Sequence, residues 1–184
     1  VRSLSIKGPI ESADPFLASL RAASGHDVTV EIDSIGGSVW AGCEIFTALT
    51  RHAGLVTVRI VGLAASMASA VAMAGDEIVI EPSARMMLHS PSGSVHGRSG
   101  DLRSMASLLD RIEATMRSAY ATRSGRPMSE ISAMMQAETW LSADEAVAAG
   151  FADRVAGRKQ TTAEGLQAIS ASVYRAGPWA RTRL

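Results

Sequence analysis

The sequence predicts an α/β fold, and three neighbouring segments predict it. Val28-Thr29-Val30-Glu31-Ile32-Asp33 alternates apolar and polar residues, the period of a strand with one buried face, and ends in the glycine turn Ser34-Ile35-Gly36-Gly37-Ser38. From Val39 to His52 the apolar positions Val39, Cys43, Phe46 and Leu49 recur at helical spacing. Leu55 to Val61 is then β-branched and strand-like. Together these segments make one β-α-β unit, for which a right-handed crossover is expected.

A second unit follows. Gly62 opens a small-residue segment, Leu63 to Gly75, that reads as a turn into a buried helix; Glu77-Ile78-Val79-Ile80 and Met86-Met87-Leu88 read as strands. After Pro91, Ser92-Gly93-Ser94-Val95-His96-Gly97-Arg98-Ser99-Gly100 has turn chemistry and little to pack, so a mobile surface segment is expected. It leads into the clearest helix of the chain. There Leu102, Met105, Leu109, Ile112, Met116 and Ala119 step by three or four, with Arg103, Asp110, Arg111, Glu113 and Arg117 between them. One face should be buried and the other wet. Another helix is expected from Met128 to Gln136, and a last one starts at the capping-box pattern Ser142-Ala143-Asp144-Glu145 and stops at Gly150.

The 184 residues, 47% apolar and 20% charged, suit one globular domain with a sizeable core, read as residues 1–155, and exclude a disordered or fibrous chain. Lys plus Arg (18) balances Asp plus Glu (18), so no global field recruits nucleic acid. The longest uncharged stretch, Ile60 to Gly75, has sixteen residues, short of the roughly 20 that span a bilayer, and no membrane role is expected. Val1-Arg2-Ser3-Leu4-Ser5-Ile6-Lys7 lacks the apolar core of a secretory signal. The lone Cys43 makes neither an internal disulfide nor a multi-cysteine metal site and is read as a core residue of its helix. A reducing cytoplasm is the expected setting. From Ala156 to Leu184, Arg158, Lys159, Arg175, Arg181 and Arg183 face one acid, Glu164. This basic tail reads as a solvated, disordered extension, or as a segment that docks on another subunit through Val173-Tyr174 and Pro178-Trp179.

Gly62-Leu63-Ala64-Ala65-Ser66-Met67-Ala68-Ser69 places serine where a strand gives way to a helix between small residues. A nucleophile needs that geometry, because a sharp turn exposes Oγ, small neighbours admit a substrate carbonyl and helix-start amides point at it. The segment alone leaves Ser66 and Ser69 both open, with ordinary small-residue packing as the plain alternative. Of the four histidines, His89 is placed best as a base, since it closes the run Met86-Met87-Leu88 ahead of Pro91. His52 lies at a helix end, and His26 and His96 fall in polar loops. At Gly36-Gly37, amides freed after a strand can bind an oxyanion, as glycine permits positive φ and close approach; an ordinary βα turn is the alternative. Glu138, just before Trp140-Leu141, can orient an imidazole or serve as a cap.

Three segments in order, Asp33-Ser34-Ile35-Gly36-Gly37-Ser38-Val39, Gly62-Leu63-Ala64-Ala65-Ser66-Met67 and Met87-Leu88-His89-Ser90-Pro91, precede Ala137-Glu138-Thr139-Trp140, Leu141-Ser142-Ala143-Asp144-Glu145-Ala146-Val147 and Gly150-Phe151-Ala152-Asp153. From about Val28 to Val155 the chain thereby resembles the Clp peptidase (ClpP) family, most closely its phage-type branch, the ClpP-like head maturation proteases. The resemblance implies repeated β-α-β units of the ClpP/crotonase-like fold, with a protruding helix and a flexible loop segment. It implies a serine endopeptidase with Ser66 as nucleophile, His89 as general base and then acid, and Glu138 where Clp peptidases carry an aspartate, with Asp153 in reserve. The Gly37 and Met67 amides would form the oxyanion hole, and Gly36, Ser38, Val39, Ser92 and Gly93 would lie along the substrate. No cofactor or metal is implied. Ile35 stands where the family has proline and Asp33 where it has asparagine, which makes the turn less rigid and sets a charge near the site.

The partners implied are a polypeptide substrate, with a capsid or scaffold protein in a phage prohead as the leading reading, and further copies of the chain in a ring. A general degradative subunit fed by an unfolding ATPase is the alternative. Two other classes share the fold: enoyl-CoA hydratase-type enzymes, which need neither Ser66 nor His89, and a non-catalytic assembly protein that binds through its surface and basic tail. A histidine base predicts activity rising between roughly pH 5 and 8.

Overall fold

The structure, a computed structural model, describes residues 1–157. β1 (Arg2–Ile10) turns Ile6 and Ile10 inward, and α1 (Asp14–Ala22) opens on Asp14-Pro15, where a missing N–H costs nothing, and buries Phe16 and Leu20. β2 (Val28–Gly37) alternates buried and outward residues, as its period-2 pattern requires. α2 (Val39–Thr50) is capped by Ser38, whose hydroxyl accepts the Ala41 N–H at 3.3 Å. β3 (Val56–Ala65) leads to α3 (Met67–Ala72), a six-residue helix buried at every position. β4 (Glu77–Ile80), β5 (Arg85–Leu88), α4 (Ser99–Ser124), α5 (Met128–Gln136), β6 (Thr139–Ser142), α6 (Ala143–Ala148) and β7 (Arg154–Val155) complete the order. The basic tail read from residue 156 lies, beyond Gly157, outside the described residues.

The fold is α/β with a mostly parallel sheet in the order β1-β2-β3-β4-β7. β3 carries the feature that makes a site possible. Its first half, Thr57 to Ile60, pairs with β4, and its last residues, Leu63 to Ala65, pair instead with β5, so the sheet forks along one strand. At the fork the register with β2 jumps from Ile32↔Ile60 to Ser34↔Ala64, and Asp33 accepts the Leu63 N–H at 3.0 Å. The charge expected to act near the site is thus used to satisfy an amide that the irregularity frees. β5 then pairs antiparallel with β6, Leu88 opposite Thr139.

Four elements were not read from the sequence: β1, α1, β6 and β7. The expected burial of the long helix needs correction too. Of its stripe only Met116 and, one step further, Tyr120 are buried among the apolar residues, while Leu102 is 50% exposed and Met105, Leu109 and Ile112 are half-buried. The reason is length. At about 1.5 Å per residue its 26 residues span roughly 39 Å, and its buried apolar residues, Met116 and Tyr120, lie in the second half, while in the first half Met105 and Leu109 stand close to Gly93 of the preceding loop. Ser99 and Gly100, expected in that loop, form the first turn of the helix.

Candidate active site

Ser66 sits between β3 and α3 with φ 56 and ψ −128, one of two non-glycine residues with positive φ among those described. Side chains seldom hold that conformation, and it costs on the order of 1–3 kcal/mol unless the surroundings impose it. They impose it at both ends of the residue. The Ser66 N–H donates to the Met87 carbonyl at 3.0 Å, and the Ser66 carbonyl accepts the N–H groups of Ser69 (3.0 Å) and Ala70 (3.3 Å). A strand-to-helix elbow of this kind lifts Oγ clear of the sheet.

Because Ala65 pairs with Met87, β5 delivers His89 two residues beyond the elbow's neighbour. Its Nε2 lies 2.7 Å from Ser66 Oγ, hydrogen-bond contact between a hydroxyl and the atom that would take its proton. The structure therefore separates the two serines. Ser69 is fully buried, and its hydroxyl meets the Ser66 carbonyl (2.7 Å), the Met87 carbonyl (2.7 Å) and the Tyr120 hydroxyl (2.8 Å). It braces the elbow and faces no substrate.

Gly36 touches the elbow from β2. A Cβ there would fall 2.6 Å from the Ala65 oxygen, 2.8 Å from Ser66 Cβ and 2.9 Å from the Met67 nitrogen, and its φ is +88. Ser34, buried, accepts the Gly36 N–H at 3.1 Å and holds the turn. Gly37, with φ +144, faces Ile10 of β1 instead. The Met67 amide belongs to the first residue of α3, where helix N–H groups lack partners within the helix. Ser38 and Val39 begin α2, and Ser92 and Gly93 lie in the exposed segment before α4.

The two carboxylates expected near the histidine have other partners. Glu138, with φ 49 and exposed, accepts the Trp140 indole N–H at 3.3 Å. One step beyond the Leu88↔Thr139 pair, its backbone stands beside His89, yet its carboxylate makes no hydrogen bond to the ring. Asp153 binds Arg123 and accepts the Ile78 N–H at 2.7 Å. Ile78 pairs with Val58, seven residues before Ala65 on β3, about 23 Å away at ~3.3 Å per residue. The reserve reading of Asp153 as a partner of His89 is corrected accordingly: it anchors the opposite end of the sheet.

Sequence reasoning passed over Ser34 and Tyr120, and the local segment alone did not separate Ser69 from Ser66; the resemblance chose Ser66. Tyr120 had a signal: it continues the Met116 stripe by four residues. Burial drives its phenol well above the ordinary range, so it stays a hydroxyl. Cys43 is partly buried and packed on the core; burial raises its thiol, which makes it a poor nucleophile. Among the described residues no acid–histidine–cysteine group is arranged to hold a metal, and no helix is long and apolar enough to cross a membrane.

A serine on a strained strand-to-helix elbow, in contact with a histidine on the adjoining strand, is the arrangement that a serine nucleophile and its base require. The chain belongs to the Clp protease family, whose model matches residues 11–159. It is 30% identical over 148 residues to the ATP-dependent Clp protease proteolytic subunit of Porphyromonas gingivalis, covering 79% of this chain and 63% of that relative. To proteins of the same description from Pleurastrum terricola and Chlorella vulgaris it is 35% identical, over 132 and 129 residues. Those matches cover 71% and 69% of this chain, and 67% and 64% of the relatives. The chain thus spans about two thirds of the length of the curated relatives it matches.

Proposed function

We propose that this chain is a serine endopeptidase of the Clp type that works by acyl transfer. The observation that carries the reading is the 2.7 Å contact between His89 Nε2 and Ser66 Oγ at a residue held at φ 56. Ser66 Oγ attacks the scissile carbonyl while His89 takes its proton, then returns it to the leaving amine; water, deprotonated by His89, hydrolyses the ester. The oxyanion faces the Met67 N–H, with the Gly37 N–H as second donor, and the substrate strand runs past Gly36, Ser38 and Val39 on one side and Ser92 and Gly93 on the other. Glu138 is the third member. Its place beside His89 across β5 and β6 supports that role, which requires its carboxylate to leave the Trp140 indole and accept the imidazole Nδ1–H.

The relatives are described as proteolytic subunits of an ATP-dependent protease, which favours an oligomeric subunit that receives polypeptide from an ATPase. The Ala137-Glu138-Thr139-Trp140 block supports the alternative setting, cleavage of capsid or scaffold protein in a phage prohead. Neighbouring genes discriminate them: an ATPase gene for the first, portal and capsid genes for the second.

The reaction itself is tested by intact mass after fluorophosphonate treatment of the wild type, Ser66→Ala and His89→Ala. One adduct on the wild type and none on Ser66→Ala is expected, with turnover lower by on the order of 10⁶ in that variant. No adduct on an assembled wild type would favour a binding protein on the same fold.

A further inference from the structure

Beneath the elbow lies a pair of buried hydroxyls that the reaction itself does not use. Tyr120 of α4 is fully buried, its ring set edge-to-face on Phe151 at 5.9 Å and 80°. Its hydroxyl reaches Ser69 Oγ at 2.8 Å and the Ser66 carbonyl at 3.3 Å, and Ser69 Oγ reaches the Ser66 and Met87 carbonyls, each at 2.7 Å. Two hydroxyl protons thus serve two carbonyl oxygens, one on the nucleophile and one on the residue that receives the nucleophile's own N–H.

The consequence follows from the planarity of the peptide bond. The Ser66 carbonyl and the Met67 N–H belong to one rigid unit and point in opposite directions. A group that fixes the carbonyl on the inner side therefore aims the N–H on the outer side. ψ at Ser66, −128, sets the tilt of that unit; the Ser69 and Ala70 N–H groups at the start of α3 hold its carbonyl from the helix side, and the two hydroxyls hold it from beneath. We propose that Tyr120, acting through Ser69, is a positioning residue that aims the Met67 amide at the developing oxyanion. The inference rests on Ser66 as the nucleophile. Tyr120 touches neither substrate nor the reacting atoms; it sets where one donor points.

Removal of the Tyr120 hydroxyl leaves the Ser69 proton to choose between two carbonyls, so the 66–67 peptide gains freedom to rock. A donor mis-aimed, and not lost, should cost about 10- to 100-fold in kcat, less than the roughly 10²–10³ for an oxyanion donor removed outright. KM should hold, since the donor matters most in the transition state. Neither hydroxyl ionises near neutrality, so the pH midpoint of activity should stay where it is and only the amplitude fall.

The experiment compares wild type, Tyr120→Phe, Ser69→Ala and the double variant in hydrolysis of a fluorogenic peptide. Active sites are counted in each by fluorophosphonate titration, so a damaged fold lowers the count and leaves the rate per site alone. The expected result is a 10- to 100-fold fall in kcat per titrated site for Tyr120→Phe, with KM and pH midpoint unchanged. The double variant should be little worse than Ser69→Ala, because the two act as one chain. Wild-type kcat per site in Tyr120→Phe would overturn the positioning role and leave Ser66 as nucleophile standing. A shifted pH midpoint would overturn it too, by pointing to His89 as the group disturbed. If the wild type neither labels at Ser66 nor hydrolyses the peptide, both readings fall together.

Discussion

Ser66 owes its exposure to a backbone angle, and the residue that leaves room for that angle is Gly36. A side chain at position 36 would be strained by φ +88 and would also press on Ala65, Ser66 and Met67 together. Gly36→Ala should therefore lower turnover by at least about 10²-fold, the effect of a misplacement near 1 Å. Its cost in stability should be about 1–3 kcal/mol. Gly125 supplies the control: it ends α4 at φ +71, and a Cβ there would meet nothing within 4 Å, so Gly125→Ala should lower the urea midpoint and leave kcat intact. Equal losses of activity in the two variants would show that strain anywhere in the chain suffices, and the close packing of Gly36 on the elbow would lose its significance.

At the scale of elements, α6 joins β6 without a loop, and its cap does the joining. The Ser142 hydroxyl and N–H donate to Glu145 (2.6 and 2.8 Å), and these bonds hold the carboxyl below its ordinary value. The folded value is depressed, so the stabilisation is present above the ordinary glutamate value and is lost as pH falls through the lowered one. Between about pH 6 and 3, the wild type should lose thermal stability more steeply than Glu145→Gln; parallel curves would contradict the assignment. This cap was legible because its pattern is local, four residues of a known kind in order. β1 was not, since it is an edge strand whose Gly8-Pro9 interrupts the alternation, and α1 shows only Phe16 and Leu20 as buried apolar residues. β7 has two residues, too few for any period to show. α4 misled in the other direction. A helical stripe states which face is apolar but not whether anything lies opposite, and here the first half of the stripe stays partly or fully exposed.

Across the whole molecule, the fork in β3 sets the Ser66–His89 pair at one end and the Arg123–Asp153 anchorage at the other. α4 reaches both. Tyr120 supports the elbow, while Arg123, with its side chain nearly buried, binds Asp153 and donates to the Gly75 carbonyl at 3.1 Å near the start of β4. Ser66 and His89 were legible as a strand-to-helix serine and a strand-end histidine. The choice of Ser66 over Ser69 on local pattern alone was not, because it depends on which hydroxyl the tertiary fold buries. The carboxylates were the least legible. Their roles turn on a side-chain direction in Glu138 and on a cation contributed from thirty residues away in Asp153, and neither leaves a trace in spacing. The most direct test of Ser66 as nucleophile is to mix the protein with an activated peptide ester, quench in acid within the first turnover, and map the acyl group by digestion and mass spectrometry. One acyl group on the peptide that contains Ser66, absent from His89→Ala, is the expected result. Acylation at another residue, or rapid hydrolysis with Ser66 never modified, would contradict it.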